Sequence, residues 1–86
     1  MKIDARSLGE FRIYASAVEP ARGAGYTARL VVHRVDPVDG GRNEAFRGDR
    51  LDNDHRWESS DGALRFALDK AREVIAASRA QAARTV

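Results

Sequence analysis

Hydrophobic and polar residues alternate with a period of two from Leu8 to Val18, the pattern of a strand that buries one face. One side of this segment carries Phe11, Ile13, Ala15 and Ala17, and the other carries Arg12, Tyr14 and Ser16. A second alternating segment runs from Tyr26 to Val35 and is rich in the β-branched and aromatic residues that strands favour. Pro20, Gly23 and Gly25 separate the two segments and favour a turn. We therefore expect these two strands to form a hairpin.

A weaker third strand is predicted from Glu44 to Leu51, after a loop rich in proline, glycine, Asp and Asn. Its register stays open because Phe46 and Leu51 have opposite parity along the strand. Gly48 lies between them and suggests a bulge or bend that would bring both side chains to one face. The segment from His55 to Glu58 is either a short fourth strand or an extended lead into a helix.

The C-terminal segment has the spacing of an amphipathic helix, with apolar residues recurring every three or four positions. These residues are Leu64, Ala67, Leu68, Ala71, Val74 and Ile75. Ser59 or Ser60 provides the N-cap oxygen, and Asp61 places negative charge at the positive end of the helix dipole. Beyond Ser78 large apolar residues become rare, so we expect the helix to fray there.

Together these elements predict a single small α+β domain over residues 1–86, with an ordered core at about residues 8–78. The predicted fold is an antiparallel sheet of three strands, or alternatively four, with one C-terminal amphipathic helix packed on one face. The order of elements is βββα. One domain also fits the length, since 86 residues build one modest core.

The amino-acid composition excludes several classes of functional site. The chain has no cysteine, which excludes disulfides, thiolate metal ligands and a cysteine nucleophile. Its 15 basic and 13 acidic residues are interspersed and leave a formal charge of +2, so overall electrostatics imply no partner. We find no apolar run long enough for a signal peptide or a membrane span. We therefore expect a cytoplasmic protein with no membrane partner.

No motif for catalysis, a cofactor or a metal is apparent. The paired glycines Gly40 and Gly41 join strands, whereas a phosphate-binding loop leads into a helix. His33, His55 and the nearby carboxylates lack the spacing of metal ligands. No serine lies on a recognisable nucleophile elbow. We expect a non-catalytic interaction or structural module without a cofactor.

One helix covers one face of a sheet, so the opposite face should stay open. We expect that face to carry Arg12, Tyr14, Arg29, Val31, His33 and Arg47. Arginine beside an aromatic ring is a composition with which sheets bind single-stranded nucleic acid, through phosphate contacts and base stacking. An ordinary solvated face of an antiparallel sheet is the simpler interpretation, because nucleic-acid-binding sheets usually offer two or three aromatic residues.

Self-association is an alternative use of apolar residues outside the core. Val31 is apolar for an exposed sheet position, and a small sheet often gains buried area by pairing with a second copy. Phe66 lies about 130° from the centre of the apolar helix stripe. Its ring therefore either takes part in a homodimer contact, or it covers the edge of the helix or packs on Trp57 within the chain.

The chain also resembles a known family in the order of its elements. A strand, Gly25-Tyr26-Thr27-Ala28, another strand and a helix carrying Ala63, Leu64, Ala67, Ala71 and Ile75 look like a HicB-type antitoxin domain. The resemblance covers most of the chain as a pattern, and it implies a partial ribonuclease-H-like sheet and a regulatory role. The proline and glycine-cysteine signature of such domains is absent, since residues 50–55 read Arg-Leu-Asp-Asn-Asp-His. Double-stranded-RNA-binding domains are a second analogy, but they place a helix before the strands.

Overall fold

A computed structural model describes residues 2–19 and 25–84 of the chain. Its elements are β1 (Lys2–Leu8), β2 (Phe11–Val18), β3 (Thr27–Val35), β4 (Arg42–Gly48), α1 (Leu51–Asp54) and α2 (Ser60–Arg84). The strands form one antiparallel sheet in the order β1-β2-β3-β4. The α+β class, the antiparallel sheet and the C-terminal helix are confirmed, with four strands before the long helix. The turn expected around residues 20–24 lies outside the described residues.

The hydrophobic core lies between α2 and one face of the two central strands, β2 and β3. Its buried residues are Phe11, Ile13, Ala15, Ala17, Ala28, Leu30, Val32, Leu51, Ala63, Leu64, Ala67, Ala71 and Ile75. The predicted alternation along β2 and β3 is confirmed, because alternate side chains of each strand enter this core. Alanines on both the sheet and the helix allow the two layers to pack closely.

The fourth strand is β1, which the hydrophobic pattern does not predict. Every residue of β1 except Asp4 is exposed, so the strand has no apolar face for a sequence pattern to show. A two-residue loop places β1 against β2, and Gly9 in that loop has φ +58°, the positive angle that type II′ hairpin turns need at this position. The alternative strand at residues 55–58 does not form; within it Trp57 makes an isolated bridge to Tyr26.

The strand predicted from Glu44 to Leu51 is β4, and it ends at Gly48. Its register shifts opposite Val32 and His33, which leaves Ala45 as the extra residue, so the irregularity lies at Ala45 rather than at Gly48. Leu51 reaches the core as the first residue of α1 instead of through strand pairing. Gly48 leaves room for it, since a Cβ there would lie 2.7 Å from Leu51 Cδ2.

Helix α2 begins at Ser60 and is capped by Ser59, whose Oγ accepts a hydrogen bond from the Gly62 backbone N–H at 3.0 Å. This contact identifies Ser59, and not Ser60, as the N-cap residue. The helix continues to Arg84, and β1 begins at Lys2, so regular secondary structure extends beyond residues 8–78 at both ends. Within the described ranges, no helix is both long and apolar enough to cross a lipid bilayer.

The cap makes a testable contribution to stability. Ser59→Ala is expected to lower the free energy of unfolding by about 1 kcal/mol, because the Gly62 N–H loses its acceptor. Ser60→Ala is the matched control and should change stability by less than about 0.5 kcal/mol. Urea denaturation of both variants, followed by circular dichroism, measures the difference. Equal losses in the two variants would show that Ser59 is not the cap.

Candidate binding face

The sheet face opposite α2 is covered by no described element, and we call it the open face. Strand register assigns residues to it, since paired residues point to the same side of a sheet. All six residues expected there lie on it: Arg12, Tyr14, Arg29, Val31, His33 and Arg47. They come from three adjacent strands, so the sheet brings together side chains that are up to 35 positions apart in the chain.

The centre of the open face is a cross-strand row that starts at β1. Ala5 pairs with Tyr14, Tyr14 pairs with Val31, and Val31 pairs with Arg47. Because Ala5 is small, the β1 residue directly opposite Tyr14 does not cover its ring. The row therefore leaves the half-buried Tyr14 ring beside the Val31 side chain at the middle of the open face.

Tyr14 contacts two further polar side chains. Its ring lies edge-on to the His33 ring, with centroids 5.6 Å apart and planes inclined by 66°. Its hydroxyl accepts a hydrogen bond from Arg42 Nη1 at 3.2 Å. Sequence reasoning missed Arg42, because the pattern predicts a loop there and its strand pairing with Val35 appears only in the structure.

The arginines of the open face are held by weak, exposed contacts. Arg29 Nε lies 3.2 Å from Asp49 Oδ1, and Arg47 pairs with Glu44. The side chains of Arg29 and Arg47 are 43% and 49% exposed, and ion pairs of this kind contribute about 0–1 kcal/mol. A stronger anionic ligand would therefore displace the carboxylates at little cost.

Arg12 is a further cationic side chain of the open face. Its guanidinium donates hydrogen bonds to the carbonyl oxygens of Gly9 and Phe11, at 3.0 and 3.1 Å. Among the residues that the structure describes, Arg12, Arg29, Arg42 and Arg47 stand against the two carboxylates of Glu44 and Asp49, which gives this surface a formal charge of +2. The open face thus carries a local positive charge as large as that of the whole chain.

His33 has an unusual feature for a residue on an open surface. Its Nδ1 is buried and has no hydrogen-bond partner among the described residues. Burial of an unpaired polar atom costs about 1–3 kcal/mol. A ligand that allowed the ring to turn and pair this nitrogen would recover part of that free energy.

The opposite, helix-bearing side has a different chemistry. A groove of about 430 Å³ lies between β1 and α2 and is lined mainly by alternating basic and acidic side chains, without either histidine. Across it Lys2 contacts Asp61, and this hydrogen bond lowers the pKa of Asp61 and raises the pKa of Lys2. Along β1 the hydrogen bond from Arg6 lowers the pKa of Asp4. These carboxylates are therefore ionised at neutral pH and do not resemble a general acid.

Among the side chains that the structure describes, no three histidine or acidic residues cluster in a way that could hold a metal ion. Phe66 packs on Trp57 with ring centroids 4.9 Å apart, which is one of the roles that the sequence left open. It lies on the helix side of the sheet, so it shares no surface with Val31.

Comparison with known proteins gives no match: no family model, no curated protein and no solved structure matches this chain. The resemblance to HicB-type domains therefore rests on the order of the elements.

Proposed function

We propose that this protein is a non-catalytic binding module and that its open face binds single-stranded nucleic acid. The observation that carries the proposal is the group of four arginines around the Tyr14–His33 ring pair on an uncovered sheet. A cytoplasmic location belongs to the same proposal, on the grounds of composition.

The chemistry of the face fits the two parts of a nucleotide. Guanidinium groups bind phosphate oxygens through paired hydrogen bonds, and their exposed carboxylate contacts are weak enough to exchange. An aromatic ring on a sheet stacks with a base, and one such contact contributes about 1–3 kcal/mol. Arg42, on the hydroxyl of Tyr14, places a cation beside that ring. Phosphate and base contacts would therefore be made side by side.

Face-to-face packing of a second copy is less favourable on the same surface. Four strands spaced by about 4.8 Å and about seven residues long present roughly 450 Å². A stable dimer buries about 800 Å² on each partner. Two copies of the open face would also bring like positive charge together, which costs free energy. A polyanion avoids both difficulties.

Fluorescence anisotropy with a labelled mixed-sequence single strand tests the proposal. Binding should weaken steeply as salt is raised, because counterions are released when arginines contact phosphates. Tyr14→Ala should weaken binding by about 5- to 150-fold through the lost stacking contact. Arg29→Ala and Arg47→Ala should each lower the slope of log affinity against log salt by about one.

The matched control is Arg65→Ala, which removes the same charge from an exposed position on α2. It should leave the affinity within about two-fold of the unmodified protein, since Arg65 lies on the other side of the sheet. No binding at low salt would disprove the proposal. So would equal losses for Arg65→Ala and Arg29→Ala, because binding would then depend on overall charge and not on the open face.

A further inference from the structure

Strand β1 is supported far less than the two central strands, β2 and β3. It forms one edge of the sheet, and all of its residues except Asp4 are exposed. Helix α2 lies over β2 and β3 and makes few contacts with β1. Ile3 is 60% exposed and Leu8 is 42% exposed. An edge strand of seven residues with apolar side chains in solvent is a template for pairing with another strand.

The hairpin determines which main-chain groups of β1 face outward. Leu8 and Phe11 close the two-residue loop, so they form a hydrogen-bonded pair, and hydrogen-bonded pairs then recur at every second residue. The hydrogen bond from the Val35 N–H to the Glu10 carbonyl agrees with this alternation. It shows that the even-numbered residues of this segment direct their main-chain groups toward β3, which leaves the odd-numbered residues of β2 to pair with β1. The N–H and C=O groups of Ile3, Ala5 and Ser7 therefore point away from the sheet.

The two edges of the sheet differ in how they are protected. Edge strands usually avoid pairing through bulges, prolines or charged side chains. The β4 edge has a bulge at Ala45 and carries Arg42, Glu44 and Arg47. The β1 residues whose main-chain groups point outward are Ile3, Ala5 and Ser7, and none of them is charged or a proline. The β1 edge is thus the one that remains open to a partner.

We propose that β1 pairs antiparallel with β1 of a second copy, with Ala5 opposite Ala5 on a two-fold axis. In this register Ile3 faces Ser7 of the other copy, and all three outward-facing residues form hydrogen-bonded pairs. Asp4 then lies opposite Arg6 of the other copy, and Arg6 lies opposite Asp4. The strand is therefore complementary in charge to itself.

Shifts of the register remove that complementarity. Moving the axis to residue 4 places two Asp4 carboxylates opposite each other, and moving it to residue 6 does the same for two Arg6 guanidiniums. Like charges directly opposite each other destabilise a strand pair. Within one chain Arg6 already donates to Asp4 at 3.0 and 3.1 Å, so pairing at Ala5 produces a ring of four alternating charges.

The product is a continuous eight-stranded sheet. Paired residues of antiparallel strands point to the same side, so both α2 helices lie on one side and both open faces on the other. The pairing joins two open faces into one surface, but it does not depend on any ligand of that surface.

Sedimentation velocity, without nucleic acid and with any tag removed, tests the proposal from about 1 to 500 μM. The unmodified chain should show a dimer that dissociates on dilution. Ala5→Pro should shift the dissociation constant upward by about ten-fold or more, because it removes the central outward N–H. Its β1–β2 hydrogen bonds use other residues, so circular dichroism should stay unchanged.

Charge reversal provides the decisive control. Asp4→Arg alone and Arg6→Asp alone each bring like charges together in the pair, so each variant should be monomeric. A mixture of the two variants restores opposite charges only between chains and should form a heterodimer. Neither variant retains both Asp4 and Arg6, so neither can form this ion pair within its own chain. A dimer that forms only on mixing therefore reports the contact between chains.

Three outcomes would overturn the proposal. The first is a chain that stays monomeric at the highest concentration. The second is a dimer that neither Ala5→Pro nor the single charge reversals weaken. The third is a dimer that Val31→Glu dissociates while Ala5→Pro does not, which would place the interface on the open face.

Discussion

Replacement of Leu30 with alanine is expected to lower the free energy of unfolding by about 3–5 kcal/mol. Leu30 lies in a central strand and is fully buried beneath α2. Its neighbours in register are Ala15 on β2 and Gly48 on β4, and neither has a side chain that can fill the space. The cavity should therefore stay open, which places the cost in the upper part of the usual range. Small domains have only about 5–15 kcal/mol in total, so the variant should be close to unfolding.

Urea denaturation followed by circular dichroism measures this loss. Val38→Ala is the matched control, since Val38 is 93% exposed and its truncation should change stability by less than about 0.5 kcal/mol. If Leu30→Ala does not fold, Leu30→Val keeps the test usable, with an expected loss of about 0.5–1.5 kcal/mol. A loss below about 1 kcal/mol for Leu30→Ala would show that the core closes over the gap.

Replacement of Gly25 with alanine is expected to destabilise the protein by about 2–3 kcal/mol. Gly25 has φ +94°, an angle that residues with a Cβ rarely adopt. A Cβ at this position would lie 2.9 Å from the Trp57 carbonyl oxygen and 3.1 Å from Arg56 Cβ. The segments on either side of this contact would have to separate. They meet where Tyr26 and Trp57 exchange backbone hydrogen bonds of 2.8 and 2.9 Å.

Gly40→Ala separates backbone strain from this close approach. Gly40 also has a positive φ, +74°, but a Cβ there would meet no atom within 4 Å. Its expected cost is about 1–2 kcal/mol, from the backbone angle alone. Urea denaturation compares the two variants, and Trp57 fluorescence should shift for Gly25→Ala and not for Gly40→Ala. Equal losses with no difference in fluorescence would show that the approach of Gly25 to Trp57 contributes nothing.

Much of the open face could be predicted from sequence, because strand periodicity does not depend on which strands pair. The alternation in β2 and β3 assigns Arg12, Tyr14, Arg29, Val31 and His33 to one side before any topology is known. In β4 the same reasoning is insufficient, since the extra residue at Ala45 reverses the parity along the strand. Arg42 was missed for a different reason, because the sequence pattern assigns it to the loop before β4; its hydrogen bond to the Tyr14 hydroxyl depends on the register of two strand pairs.

Strand β1 shows a different limit of sequence reasoning. A strand is recognised by the residues that it buries, and β1 buries almost nothing. Its hydrogen bonds to β2 are main-chain contacts that side-chain pattern does not record. The same property that hides β1 from prediction leaves an open edge for a partner strand.

The sequence by itself determined the α+β class, the helix-facing side of the two central strands and the stripe of α2 that meets it. Burial of apolar surface drives those features, and it appears directly as periodicity in the chain. Only the tertiary structure decided that the sheet has β1 at its edge, that Leu51 enters the core from α1 and that Arg42 reaches Tyr14. These features depend on main-chain pairing, a bulge and a turn, where register rather than hydrophobicity decides which side chains meet.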